Sequence, residues 1–254
     1  MLKTRVMPCL LLRNRALVKT IRFKDPTYIG DPINTVRIYN EMEVDELIFL
    51  DIMATVRHTL PQFGLIEEIA SECFMPFSYG GGVSTLDTMK TLFGLGTEKI
   101  TLNSHAHENP AFITKAADRF GSQSIIVSID VKKNFWGQYE VYTQGGRNHT
   151  GMNPIDYAKK LEQRGAGEIF LTSIDRDGTF KGYDLMLVNQ VSQAVNIPVI
   201  ACGGAGCVDD FGVVVKEAGA SAVAAGSMVV YQGKNRSVLI SFPPKPDLKR
   251  VLTR

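Results

Sequence analysis

Short apolar runs recur along the whole chain, at residues 5–12, 46–52, 75–79, 99–103, 124–131, 168–174, 198–202 and 220–225. Most are nearly continuous rather than alternating in polarity, as suits parallel strands covered on both faces. Amphipathic stretches separate them. Residues 31–42 set Ile33, Val36, Ile38 and Tyr39 among polar positions, and 153–164 and 185–195 have comparable spacing, as expected of crossover helices. Eight such units predict an α/β protein with a closed (β/α)8 barrel, occupying residues 1–254 as one domain without a linker or low-complexity tract.

A fainter pattern overlies this one. The second half echoes the first at an offset of about 120 residues: Ile48-Phe49-Leu50 returns as Ile169-Phe170-Leu171, and Gly80-Gly81-Gly82 is answered by Gly203-Gly204. The strand end at Leu10-Leu11-Leu12 likewise has Ile129-Asp130-Val131 as its counterpart. A duplicated half-barrel would place two related sites across one mouth. Similarity common to all barrel strands is the simpler alternative.

Composition removes several function classes. With 254 residues, 28 Lys+Arg against 26 Asp+Glu and 44% hydrophobic content, disorder and a disulfide scaffold are poor readings, and charge gives no argument for nucleic acid or an anionic membrane. The cysteines, Cys9, Cys73, Cys202 and Cys207, lie too far apart for a C-x-x-C pair, and no signal-peptide pattern precedes them, so reduced cytoplasmic thiols are expected. No uncharged apolar run reaches the ~18 residues of a membrane span.

Barrel enzymes keep their chemistry at the C-terminal ends of the strands. After the sixth run stand Asp177-Gly178-Thr179, after the seventh Gly203-Gly204-Ala205-Gly206, and after the eighth Gly226-Ser227. Glycines there let backbone N–H groups approach an oxyanion, with a helix N-terminus behind them. The first half offers a comparable set in Gly81, Gly82, Asn103 and Ser104. Two such cradles suit a small ligand phosphorylated at both ends.

With these residues in place the chain resembles the cyclase subunit of imidazole glycerol phosphate synthase. The resemblance covers residues 1 to about 230 and rests on Asp45-Glu46-Leu47-Ile48-Phe49-Leu50-Asp51-Ile52, Gly80-Gly81-Gly82, Glu108-Asn109-Pro110, Phe120-Gly121-Ser122-Gln123, and the long block from Arg164 through Thr179 to Gly182-Tyr183-Asp184. It implies cyclisation of a bisphosphorylated nucleotide with ammonia supplied by a glutaminase partner. It also implies no cofactor and no metal. The family's two catalytic aspartates end strands one and five. Asp130 fits the second position, but Leu11 stands at the first, and a lost general acid or base typically costs ~10²- to 10⁴-fold in rate.

Arg5, Glu46, Lys99 and Glu168 stand at the starts of strands one, two, four and six and match the family's ring of charges that gates ammonia. A structural salt-bridge cluster would read the same way. Lys19 matches a lysine on the flexible loop after strand one, suited to closing over phosphate, and Asp51 and Asp177 match positions at the mouth, where each either orients substrate hydroxyls or caps a helix.

A second departure follows strand eight, where Pro243, Pro244 and Pro246 cannot continue the family's long final helix. This ending and Leu11 together resemble the paralogous branch associated with surface polysaccharide. There the barrel delivers ammonia from a glutaminase to a separate ATP-dependent sugar amidotransferase that converts an acetamido sugar into an amidine. A working cyclase is the alternative reading. A third is a nucleotide-binding regulatory module that activates the glutaminase.

The remaining signals carry less. His105-x-His107, read as an extended segment, shares one face but has no third ligand in view. Cys202 before its glycine turn reads as a small buried filler rather than a nucleophile. Trp136 and Tyr139 fall in an expected hairpin insertion after strand five.

Overall fold

The computed structural model describes residues 4–233 and 235–253. Eight parallel strands form the barrel: β1 (Arg5–Arg13), β2 (Leu47–Asp51), β3 (Phe77–Gly80), β4 (Lys99–Leu102), β5 (Ile125–Lys133), β6 (Glu168–Ser173), β7 (Val199–Cys202) and β8 (Ala222–Ala225). Each pairs in parallel with the next in sequence. The ring closes where Arg5, Val6, Met7 and Pro8 of β1 face Ala222, Val223, Ala224 and Ala225 of β8. All eight apolar runs lie on these strands, trimmed by one or two residues where a turn intrudes. Leu47 N, for instance, donates to the carbonyl of Pro76, which lies just ahead of β3. Ile48-Phe49-Leu50 sits on β2 and its echo Ile169-Phe170-Leu171 on β6, four strands on, as the half-barrel pattern requires.

Alternate side chains of each strand serve two cores. Val6, Leu10 and Leu12 of β1 face the surrounding helices in the larger core, while Met7, Cys9 and Leu11 point into the barrel with Ile48, Ile126, Phe170, Ile200, Cys202, Ala222 and Ala224. The helices form as the amphipathic pattern predicts. Pro32–Glu41 is capped by the Asp31 carboxylate accepting from Asn34 N, and Pro154–Gln163 by Asn153 accepting from Ile155 N, each with proline in the first turn, where its missing N–H goes unneeded. Leu185–Ser192 is shorter than its apolar spacing suggests.

Three hairpins decorate the mouth. The first, Ala16–Ile21 with Lys24–Gly30, lies antiparallel on the end of β1. The second continues β5 through a turn at 134–138 into Tyr139–Thr143, with Asn148–His149 beside it, matching the insertion expected from sequence. The third joins Tyr231–Gln232 to Ser237–Val238.

One expectation needs correction here. His105 and His107 lie on a helix, Ser104–Glu108, not an extended segment, and residues two apart on a helix do not share a face. His105 meets Phe112 edge to face, and His107 meets Tyr157 in the same way. At the C-terminus no long helix runs through the prolines: the short helix Lys245–Leu252 follows Pro244, keeps Pro246 in its first turn, and packs against the helix Val208–Ala218. No helix among the described residues is long and apolar enough to cross a membrane.

Candidate functional site

At the barrel floor the four predicted charges meet. Arg5 Nη1 lies 2.6 Å from Glu46 Oε2 and Arg5 Nη2 2.8 Å from Glu168 Oε2, while Lys99 Nζ lies 2.8 Å from Glu168 Oε1 and 3.4 Å from Glu46 Oε1. Signs alternate around this closed ring, so each carboxylate has two cations. Burial opposes the Arg5 charge, but Glu168 and Glu46 outweigh it and hold the guanidinium above its ordinary pKa. Above the ring, Ser78 Oγ and Thr101 Oγ1 are buried hydroxyls without a hydrogen-bond partner among the described residues. Sequence reading passed over both. Period two along the strand would have found Thr101, since Lys99, Thr101 and Asn103 alternate inward.

At the other end opens a cavity of about 830 Å3. Leu11, Lys19, Asp51, Gly81, Gly82, Asn103, Ser104, Asp130 and Asp177 all line it, as do Cys9, Ser128, Phe170 and Thr172. Asp130 is fixed on its polar side, where it accepts from Asn103 Nδ2 at 3.0 Å and Ser128 Oγ at 3.5 Å. Asn103 is in turn held by Ser104 Oγ, which donates to its Oδ1 and accepts from Gln144 N of the second hairpin. Leu11 faces the cavity from an apolar wall, only 8% exposed, beside Leu50 and Val18.

Burial pushes the Asp130 carboxyl from its ordinary 3.8 up to about 7, against the opposing pull of the Asn103 and Ser128 hydrogen bonds. A carboxyl near neutrality can both give and take protons at physiological pH. Folded Asp130 therefore binds its proton more tightly than the unfolded chain does. Its contribution favours the fold fully below pH ~4 and is lost as pH rises through about 7. Asp130→Asn is thus expected to gain stability relative to the parent at pH 8, by up to about 4 kcal/mol, and to lose that advantage at pH 4. Urea denaturation at both pH values measures it; a pH-independent difference would mean an ordinary carboxylate.

The remaining candidates divide. Gly81 and Gly82 have φ of +117° and +71°, and a Cβ on either would come within 2.5 Å of a backbone oxygen, Asp51 O or Thr59 O, so the first cradle admits only glycine. Asp51 Oδ1 accepts from Met53 N and Ala54 N at 2.9 and 3.0 Å and so fixes the turn after β2. Lys19 is not on an open loop. It lies in the first hairpin, 4% exposed, against Gly226, whose Cβ, if it had one, would meet the ammonium. Burial would lower its pKa, but Asp177 outweighs that and holds the lysine charged. Asp177 accepts from Thr20 Oγ1, and its carbonyl from Arg22 N, which ties the hairpin to the loop after β6.

Of the second predicted cradle only Asp177 lines the cavity, and Gly178, Thr179, Gly203, Gly204, Gly226 and Ser227 do not. Around the loop after β6, Gly182 N donates to Gly204 O and Arg236 Nη2 to Gly178 O. The Cys9 contact and burial push the Cys202 thiol well above its ordinary pKa, which fits a filler rather than a nucleophile. No group of three or more metal-ligating side chains occurs among the described residues.

A family model described as histidine biosynthesis protein matches residues 5–236. The chain belongs to that family. A Pseudomonas aeruginosa protein provisionally named imidazole glycerol phosphate synthase subunit hisF2 is 51% identical over 243 residues, 96% of this chain and 97% of its own length. A Vibrio vulnificus protein provisionally named subunit hisF3 is 45% identical over 99% of this chain and 97% of its own. The HisF subunit of Alkaliphilus metalliredigens is 44% identical, covering 91% and 92%. Within the family the chain is a HisF-like barrel, and the numbered names of its relatives fit a divergent paralogue.

Proposed function

We propose that this HisF-like barrel delivers ammonia. A glutaminase docks at the floor, ammonia passes the ring of Arg5, Glu46, Lys99 and Glu168, and it leaves through the mouth for a separate ATP-dependent enzyme that amidates an acetamido sugar of surface polysaccharide. The observation that carries this reading is a contrast between the two ends of one barrel. The floor keeps its four paired charges, while Leu11 faces Asp130 across the mouth where the family's chemistry needs a second carboxylate. Leucine transfers no proton, so turnover at the mouth falls while passage through the barrel does not depend on it. The short final helix after Pro243 and Pro244 supports the same branch.

Asp130 with its raised pKa, in a cavity that keeps Gly82 and Asn103, favours the alternative of a working cyclase that forms imidazole glycerol phosphate. Complementation separates the two. The gene is expected not to restore growth of a histidine auxotroph lacking its cyclase subunit; growth at the rate given by an authentic subunit would sink the delivery reading. The positive arm is reconstitution with the glutaminase and amide-labelled ¹⁵N-glutamine, where labelled nitrogen is expected in the sugar product.

A further inference from the structure

Two cations beside the second cradle have no carboxylate of their own. Lys19 is buried, yet among the described residues no carboxylate lies within ion-pair distance of its ammonium. Asp177, which favours the lysine charge from farther off, spends Oδ2 on the Thr20 hydroxyl. Arg236, half-buried in the turn of the third hairpin, likewise forms no ion pair among the described residues. Its Nη2 donates to Gly178 O at 2.9 Å, and its guanidinium lies 5.0 Å from the centroid of the Phe180 ring. One of five donors is used in this way, so the rest of the fork is free to bind an anion.

These groups adjoin. A Cβ on Gly226 would collide with the Lys19 ammonium, and one on Gly178 would come within 2.5 Å of Thr20 O, so the loops after β8 and β6 both close on the Lys19-Thr20 segment. Tyr231, which opens the third hairpin, acts electrostatically on the same ammonium. Next to Gly226, Ser227 Oγ is buried without a hydrogen-bond partner among the described residues. Gly178, Gly203 and Gly204 have φ of +70°, +91° and +112°, the left-handed backbone from which anion-binding nests are built.

We infer that Arg236 is a phosphate ligand of the second cradle, brought there by the third hairpin. Lys19 lines the mouth cavity as well as touching Gly226, so a phosphorylated small molecule entering from the mouth meets its ammonium first, then the Ser227 hydroxyl and the Arg236 guanidinium. The two cations match a phosphate monoester, which carries about −1.5 to −2 charges at pH 7. A carboxylate, with one charge, would leave one of them uncompensated. Arg236 is outside the motifs that carry the resemblance and stands at the last position of the family match, so this ligand belongs to the chain's own ending. It does not depend on ammonia delivery.

The test titrates the ¹⁵N-labelled full chain with inorganic phosphate and with ribose 5-phosphate, following backbone amides by NMR. Gly204 and Ser227 report the second cradle, Gly81 and Gly82 the first. Arg236→Met keeps an apolar stem over Phe180 without the charge, and Arg236→Gln keeps a donor for Gly178 O. Each is expected to weaken binding at Gly204 and Ser227 by about tenfold or more and to leave Gly81 and Gly82 unchanged. Arg236→Lys should recover part of the loss, because it restores the charge without the fork. Arg250→Met, on the final helix where Arg250 pairs with Asp209, should bind as the parent does.

Thermal melting without ligand checks that each variant is folded, and the glutamine variant carries the comparison if the methionine variant is not. A variant that melts earlier but binds both probes undiminished would make Arg236 a brace for the Gly178 loop and overturn the inference. Equal weakening at both cradles overturns it, as does a lysine variant no better than methionine or a parent whose Gly204 and Ser227 amides ignore both probes. A response to inorganic phosphate alone marks an adventitious ion only and overturns the organic ligand.

Discussion

Leu11→Asp is expected to raise cyclase turnover with ammonium salts by about 10²-fold or more, within the ~10²- to 10⁴-fold that a general acid or base contributes. Leu11 stands opposite Leu50 and Val18 and projects into the cavity that Asp130 lines from β5. A carboxylate there would be nearly as buried as Asp130, whose own carboxyl burial has already raised to about 7. Burial would raise the pKa of the new carboxyl in the same direction, and the pair could then give and take protons at the two centres a cyclisation needs. Part of the gain is offset, because the new carboxyl gives up leucine packing against Cys9 and Leu50. Leu11→Asn supplies the control, with similar shape and polarity but no proton to transfer. A folded aspartate variant no faster than the asparagine variant would mean that the mouth has lost more than this one group.

Glu168→Ala is expected to cost about 3 kcal/mol of stability, read by guanidinium denaturation. Breaking a buried pair typically costs 3–5 kcal/mol, and the lower end applies because Arg5 keeps 28% of its side chain exposed. Glu168 receives both cations of the ring, so its removal leaves Arg5 and Lys99 sharing Glu46 alone. The companion double variant Lys99→Leu/Glu168→Leu is expected to recover much of the loss, because it removes the stranded charge along with its partner. In the reconstituted system, Glu168→Ala should let glutamine hydrolysis proceed while less labelled nitrogen reaches the product. A loss of stability with delivery intact would assign the ring a structural role only.

The barrel was legible because its strands are short and buried on both sides, so each registers as a bounded apolar run, and the helices between them announce their starts with Asp31-Pro32 and Asn153-Pro154. The inserted strands were harder to read. Lys24–Gly30 is mostly exposed, so little in its pattern distinguishes a hairpin arm from a loop, and Lys19 was placed on a flexible loop by the family resemblance alone. Its burial depends on Gly226, more than 200 residues away in sequence. The floor ring was legible through the family resemblance, with Arg5, Lys99 and Glu168 opening strands and Glu46 just ahead of one. The hydroxyls above it, Ser78 and Thr101, were not, because serine and threonine within an apolar run read as ordinary strand formers until the inward face is known. His105-x-His107 failed for the opposite reason, since too short a segment carried no period to tell helix from strand.

Arg5 and Leu11 belong to the same strand, separated by about 20 Å of extended chain, and both project into the barrel because their positions differ by an even number in the pleat. A slip or single-residue deletion between them would turn one of the two outward, so strand geometry locks the two ends together. Point substitution is under no such lock. A single codon can therefore change the chemistry at the mouth end of β1 while the charge at its floor end is kept, with no refolding of the strand between them.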